Sequence, residues 1–358
     1  MARVTLQKGF FTDREREILS HAGMSASLFR YDSGIEAVRI ANGRGHLVLL
    51  PYMGQMVWDA VFDGVDLTMA NMFNQPRPAD VIVGTYGCFA FHSGLLANGC
   101  PSPQDTHPLH GEMPCAPMDG AALKVGEDTD GPFLRLTGHR EYVMGFGAHY
   151  MARPSVTLRP ERTLFDIALS VENLAGDPMD LMYMCHVNFA FAEGARIVQP
   201  APYTPEATVV RTAVPGHVRP TPDYTALLAE LERNPAAMEV LDEPRRYNPE
   251  QVFYIRGLKT GPDGLTRMMM RRREGDGFAI AYDPAVFPHT VRWVLCNADQ
   301  KVAAFALPAT CEPEGYLAEM RKGNVRSLPP GGRADFTVRL GYLTAEEAER
   351  TAALIQSL

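Results

Sequence analysis

What most constrains this chain is a high density of short apolar stretches broken by glycine and proline. Among 358 residues there are 31 Gly and 28 Pro, and the runs between them are mostly too short for core helices. Residues 45–64 (GHLVLLPYMGQMVWDAVFDG) read as two strands with a break at Gly54. Residues 163–174 (TLFDIALSVENL) alternate apolar and polar, the period of a half-buried strand. Residues 181–192 (LMYMCHVNFAFA) are almost continuously apolar, as in a strand buried on both faces or lining a deep cleft. The runs GFAIAYDP, TVRWVLCN and KVAAFALPA follow at short intervals. No strand–helix–strand alternation is present, so a doubly wound parallel sheet is excluded. The pattern predicts an all-β fold, a large antiparallel β-sandwich with a few peripheral helices.

Four helices are expected at the margins. Residues 12–22 carry Thr12 as a cap and mixed charges at helical spacing. Residues 222–234 have Thr221 as cap and Pro222 at the first position. Glu314 to Lys322 forms a short third, and Thr344 with Glu347 makes a capping box that opens a C-terminal helix. With neither repeat nor linker in the sequence, a single domain over residues 1–358 is expected.

The net charge of -8 excludes an electrostatic footprint for nucleic acid. Six scattered cysteines without a CxxC pair point to reduced thiols rather than a disulfide or zinc framework. The N-terminal residues lack a basic region followed by an apolar run, and no segment is apolar enough to span a bilayer. A cytoplasmic protein without a membrane partner, monomeric or homodimeric, is the expectation.

Three places could carry chemistry. One is His107–Pro108–Leu109–His110–Gly111–Glu112, inside the proline-rich loop Gly99–Met118. Loops of that length in compact domains are often functional. Another is His186 on an apolar strand, with Asn188 two residues along on the same face. The last is Glu312, which follows the strand KVAAFALPATC. A carboxyl held at the end of a buried strand is desolvated, which suits a general base. Opening a sugar ring requires a base at the anomeric hydroxyl and an acid at the ring oxygen, with no nucleophile and no cofactor.

The order of a His-Gly loop, a His on an apolar strand before an aromatic, and Cys311–Glu312–Pro313 near the C-terminus resembles the aldose 1-epimerase (galactose mutarotase-like) superfamily. The spacings of 76 residues from His110 to His186 and 126 from His186 to Glu312 are similar to theirs. The match is greatest to an aldose 1-epimerase-like branch, through His92–Ser93–Gly94–Leu95–Leu96, Gly99–Cys100, His186–Val187–Asn188–Phe189 and Val291–Arg292–Trp293. The resemblance implies a mutarotase-like supersandwich and interconversion of sugar anomers. It implies Glu312 as general base, His186 as general acid and His110 assisting at the ring oxygen. Trp293 would stack on the sugar and Asn188 would hydrogen-bond to it, with His107 alongside.

Two departures bear on the substrate. The paired Asn-Arg of the better-known mutarotases is here only Asn74 and Arg77, separated by Gln75 and Pro76. Their hydroxyl-gripping Asp is absent from residues 249–258, which offer Glu250 and Arg256 instead. An Arg such as Arg77 or Arg256 in the pocket favours an acidic sugar, because guanidinium grips carboxylates bidentately. Two other readings stand beside this one. His107, His110 and Glu112 could hold a metal for a sugar isomerase. Alternatively, the sandwich could bind carbohydrate without catalysis.

Overall fold

The computed structural model describes residues 1–214 and 218–358. Among these residues, nine strands form one antiparallel sheet and thirteen form another. The two sheets share one hydrophobic core. Phe62 of the larger sheet and Phe89, just before its strand Ala90–Leu95, pack on Phe165 of the smaller, and Phe189 stacks on Phe278 with ring centroids 5.4 Å apart. This is the expected large antiparallel β-sandwich.

The strand patterns translate directly into elements. Residues 45–64 give Gly45–Leu49 and Val57–Phe62, broken around Gly54. Gly54 sits at φ 59°, and a Cβ there would lie 2.0 Å from the carbonyl oxygen of Pro114, so no other residue fits that break. The alternating run becomes Leu164–Asn173, whose residues are buried at every second position. The continuous apolar run becomes Met179–Val187, buried on both faces.

Among the described residues three α-helices are present: α1 (Pro222–Arg233), α2 (Tyr316–Lys322) and α3 (Ala345–Gln356). The Thr221 side chain accepts from the backbone N–H of Tyr224, and Thr344 and Glu347 form the reciprocal capping box. Replacing Thr344 by Ala removes an acceptor for an otherwise unpaired helix N–H, at about 1 kcal/mol. A thermal melt should show Tm lowered by roughly 2 °C. An unchanged Tm would mean that α3 contributes nothing through its cap.

Residues 12–22 are not a helix. Arg16–His21 is a strand paired with Met24–Arg30. The turn between them, Ala22–Gly23, has positive φ at both residues, 49° and 76°, the geometry that joins twisted antiparallel strands tightly. Pairing onto the sheet edge outweighs the helical spacing of the charges. Of the irregular stretch 200–222, residues 215–217 lie outside those described, and the remainder contributes one short strand, Thr208–Val210. No helix among the described residues is long and apolar enough to cross a membrane.

Candidate active site

Strand alternation decides which residues can form a site. On Met179–Val187, Met184 and His186 point to one face of the thirteen-stranded sheet and Cys185 and Val187 to the other. The Met184 face carries a cavity of about 710 Å³. Its floor includes Met184, His186, Val291, Trp293 and Leu307, from three adjacent strands. Its walls come from distant loops, through Met72, Val83, Tyr86, Leu109 and His110. A β-bulge between Val291 and Trp293 shifts the register against the strand Lys301–Ala309, and both of these residues line the cavity. The intervening Arg292 is fully buried and donates from Nε to the carbonyl of Phe305 at 2.9 Å.

The two histidines meet here. His186 is paired in register with Phe91 on the neighbouring strand, and their rings stack at 4.5 Å. The His110 ring meets the His186 ring edge-on, with centroids 4.9 Å apart. Tyr86 and Trp293 close the aromatic cluster around His186.

Hydrogen bonds define how each imidazole is protonated. The amide of Asn188 donates to the carbonyl of Cys88, so its oxygen faces His186 Nδ1 at 2.9 Å. Nδ1 therefore carries the proton, and Nε2 accepts from the Tyr86 hydroxyl at 3.3 Å. At His110, Ser93 gives its one proton to Asn98, so His110 Nδ1 donates to Ser93 Oγ at 3.0 Å. That leaves Nε2 of His110 as a lone pair. Burial pushes the His110 pKa down to about 4, with His107 adding to the effect. Burial and the neighbouring His110 also push His186 well below its ordinary value, against an opposing hydrogen bond that His186 donates to Asn188. Both rings are neutral at physiological pH. Burial raises the pKa of the Tyr86 phenol well above its ordinary value, so it stays protonated.

The loop carrying His110 is fastened from behind. His110 and Gly111 lie in the left-handed region at φ 64° and 78°, turning the imidazole inward. A Cβ at Gly111 would lie 2.2 Å from the carbonyl of Ala97. Glu112 accepts from the backbone N–H groups of Leu95 and Leu96 and from the Tyr150 hydroxyl. His107 Nδ1 lies 2.8 Å from its neighbour's carbonyl at Pro108, and its Nε2 accepts from the N–H of Tyr316 at the start of α2. His107 thus pins the loop to α2 and does not line the cavity. The side chains of His107, His110 and Glu112 serve three different partners and do not converge as metal ligands. Among the described residues, no group of three His, Cys, Asp or Glu side chains is placed to hold a metal ion.

The carboxylates are arranged differently from the sequence expectation. Glu312 is buried outside the cavity lining, between Lys322 Nζ at 2.7 Å and Arg256 at 3.2 Å. Its backbone N–H donates to the fully buried Glu319, which Lys322 and Asn324 also reach. The chain around it alternates, so Leu307 and Pro313 face the cavity while Glu312 is turned into this ion cluster. The carboxylate on the cavity wall is Glu250, which accepts from Trp293 Nε1 at 2.7 Å.

The arginines are displaced in the same way. Arg256 is 57% exposed and bound to Glu312, and Arg77 is exposed away from the cavity. The guanidinium on the wall belongs to Arg211, which Glu314 engages at 2.8 Å. Burial alone would raise the Glu314 pKa, but hydrogen bonds from Arg211 and Tyr254 outweigh it and hold the carboxyl below its ordinary value. The sequence reading missed Tyr86, Arg211 and Glu250 as a group. Each lies in or beside an irregular segment whose partner is distant along the chain.

Comparisons with known proteins agree with this architecture. The family model described as a domain of unknown function, DUF4432, matches residues 32–342. No curated protein matches the chain. A Klebsiella pneumoniae protein, named as a candidate aldose 1-epimerase, superposes with a TM-score of 0.79 at 16% identity, over 99% of this chain and 95% of its own. A galactose mutarotase-like protein from Clostridium acetobutylicum gives 0.57 at 12% identity, over 92% and 98%. An Escherichia coli K12 protein, also named as a candidate aldose 1-epimerase, gives 0.54 at 16% identity, over 84% and 96%. At these identities the likeness establishes the fold.

Proposed function

We propose that this chain, which belongs to the DUF4432 family, is an isomerase that opens and recloses the ring of a reducing sugar by acid–base chemistry. The observation that carries the reading is the pair of neutral imidazoles on the cavity wall, each with its Nδ1 proton committed to a fixed acceptor. That leaves His110 Nε2 free to take a proton and Tyr86 O–H, seated on His186 Nε2, able to give one.

In this reaction His110 removes the proton from the anomeric hydroxyl. The electrons of that O–H bond form the C1 carbonyl, and the C1–O5 bond breaks. The electron pair left on O5 takes the proton of Tyr86, which swings from His186 Nε2 to O5; the tyrosinate and the His110 imidazolium carry opposite charges until the ring recloses. Rotation about C1–C2 presents the other carbonyl face. Reversing both transfers closes the ring as the other anomer and returns His110 and Tyr86 to their starting states. Trp293, held by Glu250, offers an aromatic face for the sugar's C–H groups. The guanidinium on the wall is already engaged by Glu314, which favours a neutral sugar over an acidic one.

The committed base and donor favour catalysis over simple binding, which needs neither. Tyr86→Phe keeps the ring and removes the proton. Anomeric exchange followed by NMR across a panel of aldoses, with wild type beside Tyr86→Phe, tests the reading. A fall of about 10²–10³-fold with affinity retained is expected. Undiminished exchange in the variant would remove Tyr86 from the reaction. Binding by the wild type without exchange would leave a carbohydrate-binding protein.

A further inference from the structure

The walls of the cavity are the wrong chemistry for a fully hydroxylated sugar on its own. A free hexose presents hydroxyls around its whole ring, each needing partners once water is excluded. Few polar groups line this cavity, and most already have partners. His186 is occupied at both nitrogens, Arg211 is engaged by Glu314, and Glu250 receives the indole N–H of Trp293. Each sugar hydroxyl buried against these walls without a partner would weaken binding about fivefold or more.

Two apolar residues of the lining, Met72 and Val83, are 56% and 57% exposed and so stand at the mouth. Large apolar side chains left half in water at the rim of a concave site mark where an apolar part of a ligand lies. The volume, about 710 Å³, leaves room beyond one sugar ring. We propose that the substrate is a reducing sugar carrying an apolar group, alkyl, acyl or aryl, at a position remote from its anomeric carbon. The ring sits at the histidines and the apolar group runs out past Met72 and Val83. This rests on the reading of the cavity as a reducing-sugar site.

The test uses glucose and galactose and their 6-O-acetyl, butanoyl and hexanoyl esters, all with a free anomeric centre. Binding to the full chain is measured by titration calorimetry. Anomeric exchange is followed in the same samples by NMR. Affinity should rise with acyl length by about fourfold per methylene buried. The double variant Met72→Ser, Val83→Thr should reduce that gain to under twofold per methylene. Val83→Thr is nearly isosteric and Met72 is half exposed, so the fold is retained. The proposal is overturned if wild-type affinity is independent of acyl length, if the double variant keeps the full gain, or if no member of the series binds. It is also overturned if hexan-1-ol alone binds as tightly as the hexanoyl ester. A length-dependent affinity without exchange would instead sink the isomerase reading and leave the ligand class standing. Exchange of unsubstituted sugars with no dependence on acyl length would do the reverse.

Discussion

Anomeric exchange by the His110→Asn protein is expected to fall about 10²–10⁴-fold, the range that a positioned general base contributes. The choice of asparagine follows from the backbone. His110 sits at φ 64°, a conformation that asparagine tolerates better than longer or branched side chains. The amide can still donate to Ser93 Oγ as the imidazole Nδ1 does. The substitution therefore removes the free ring nitrogen and keeps the turn. Retained sugar affinity and an unchanged melting curve, beside lost exchange, would identify His110 as the base. A loss under tenfold would assign the proton transfer elsewhere, with Glu250 the next group on the cavity wall. The pH profile supplies an independent readout. Only the neutral ring can accept a proton, and burial holds the His110 pKa at about 4. Initial rates should therefore be flat through pH 6.5, where an ordinary histidine titrates, and decline only as the pH approaches 4.

Acid should destabilise this protein in a window where most carboxylates are still ionised. His92 and His110 are both buried, and burial lowers each pKa from 6.5 to about 4. Between those values the unfolded chain binds protons that the folded chain refuses, so stability falls as pH falls. Each ring contributes its full share above pH 6.5 and loses it progressively down to about pH 4. The loss is about 2 kcal/mol per ring by pH 5, and on the order of 3 kcal/mol when complete. His186 shifts in the same direction and adds to the effect. Urea unfolding at pH 7.5 and pH 5 should differ by about 4 kcal/mol from His92 and His110 together. His92 lies outside the cavity lining, hydrogen-bonded to the Tyr183 hydroxyl at 2.9 Å. In His92→Gln about 2 kcal/mol of the difference between the two pH values should disappear, while the activity profile keeps its shape. Equal stability of the wild type at the two pH values would mean that these rings are not held neutral in the folded state.

The elements read most directly from the sequence were those whose signal is local. The alternation of Leu164–Asn173 and the continuous burial of Met179–Val187 follow from side-chain period. The caps at Thr221 and Thr344 are formed within three residues of the chain. The strand Arg16–His21 shows the limit of such signals. Its charges suit a helix, and only the pairing with Met24–Arg30 makes it a strand.

The candidate site divides in the same way. His186 and Trp293 were legible because a polar or bulky group on an apolar strand must face something that accommodates it, whereas Asn188, expected to hydrogen-bond a sugar, is fully buried off the cavity with its amide on Cys88 and its oxygen on His186. His110 was legible from its Gly-flanked position in a long loop. The choice among carboxylates was not. The sequence favours Glu312, at the end of a buried strand, but Lys322 and Arg256 draw Glu312 into an ion cluster while Glu250 follows Trp293 to the cavity wall. The phenol that pairs with His186 lies 100 residues away, at Tyr86. By itself the sequence determined a sandwich of antiparallel strands and placed two histidines on it, because hydrophobic period and turn residues act over a few positions. Only the tertiary structure decided which phenol, carboxylate and guanidinium face the cavity, because that depends on strand register, a bulge and loop closure between segments far apart in the chain.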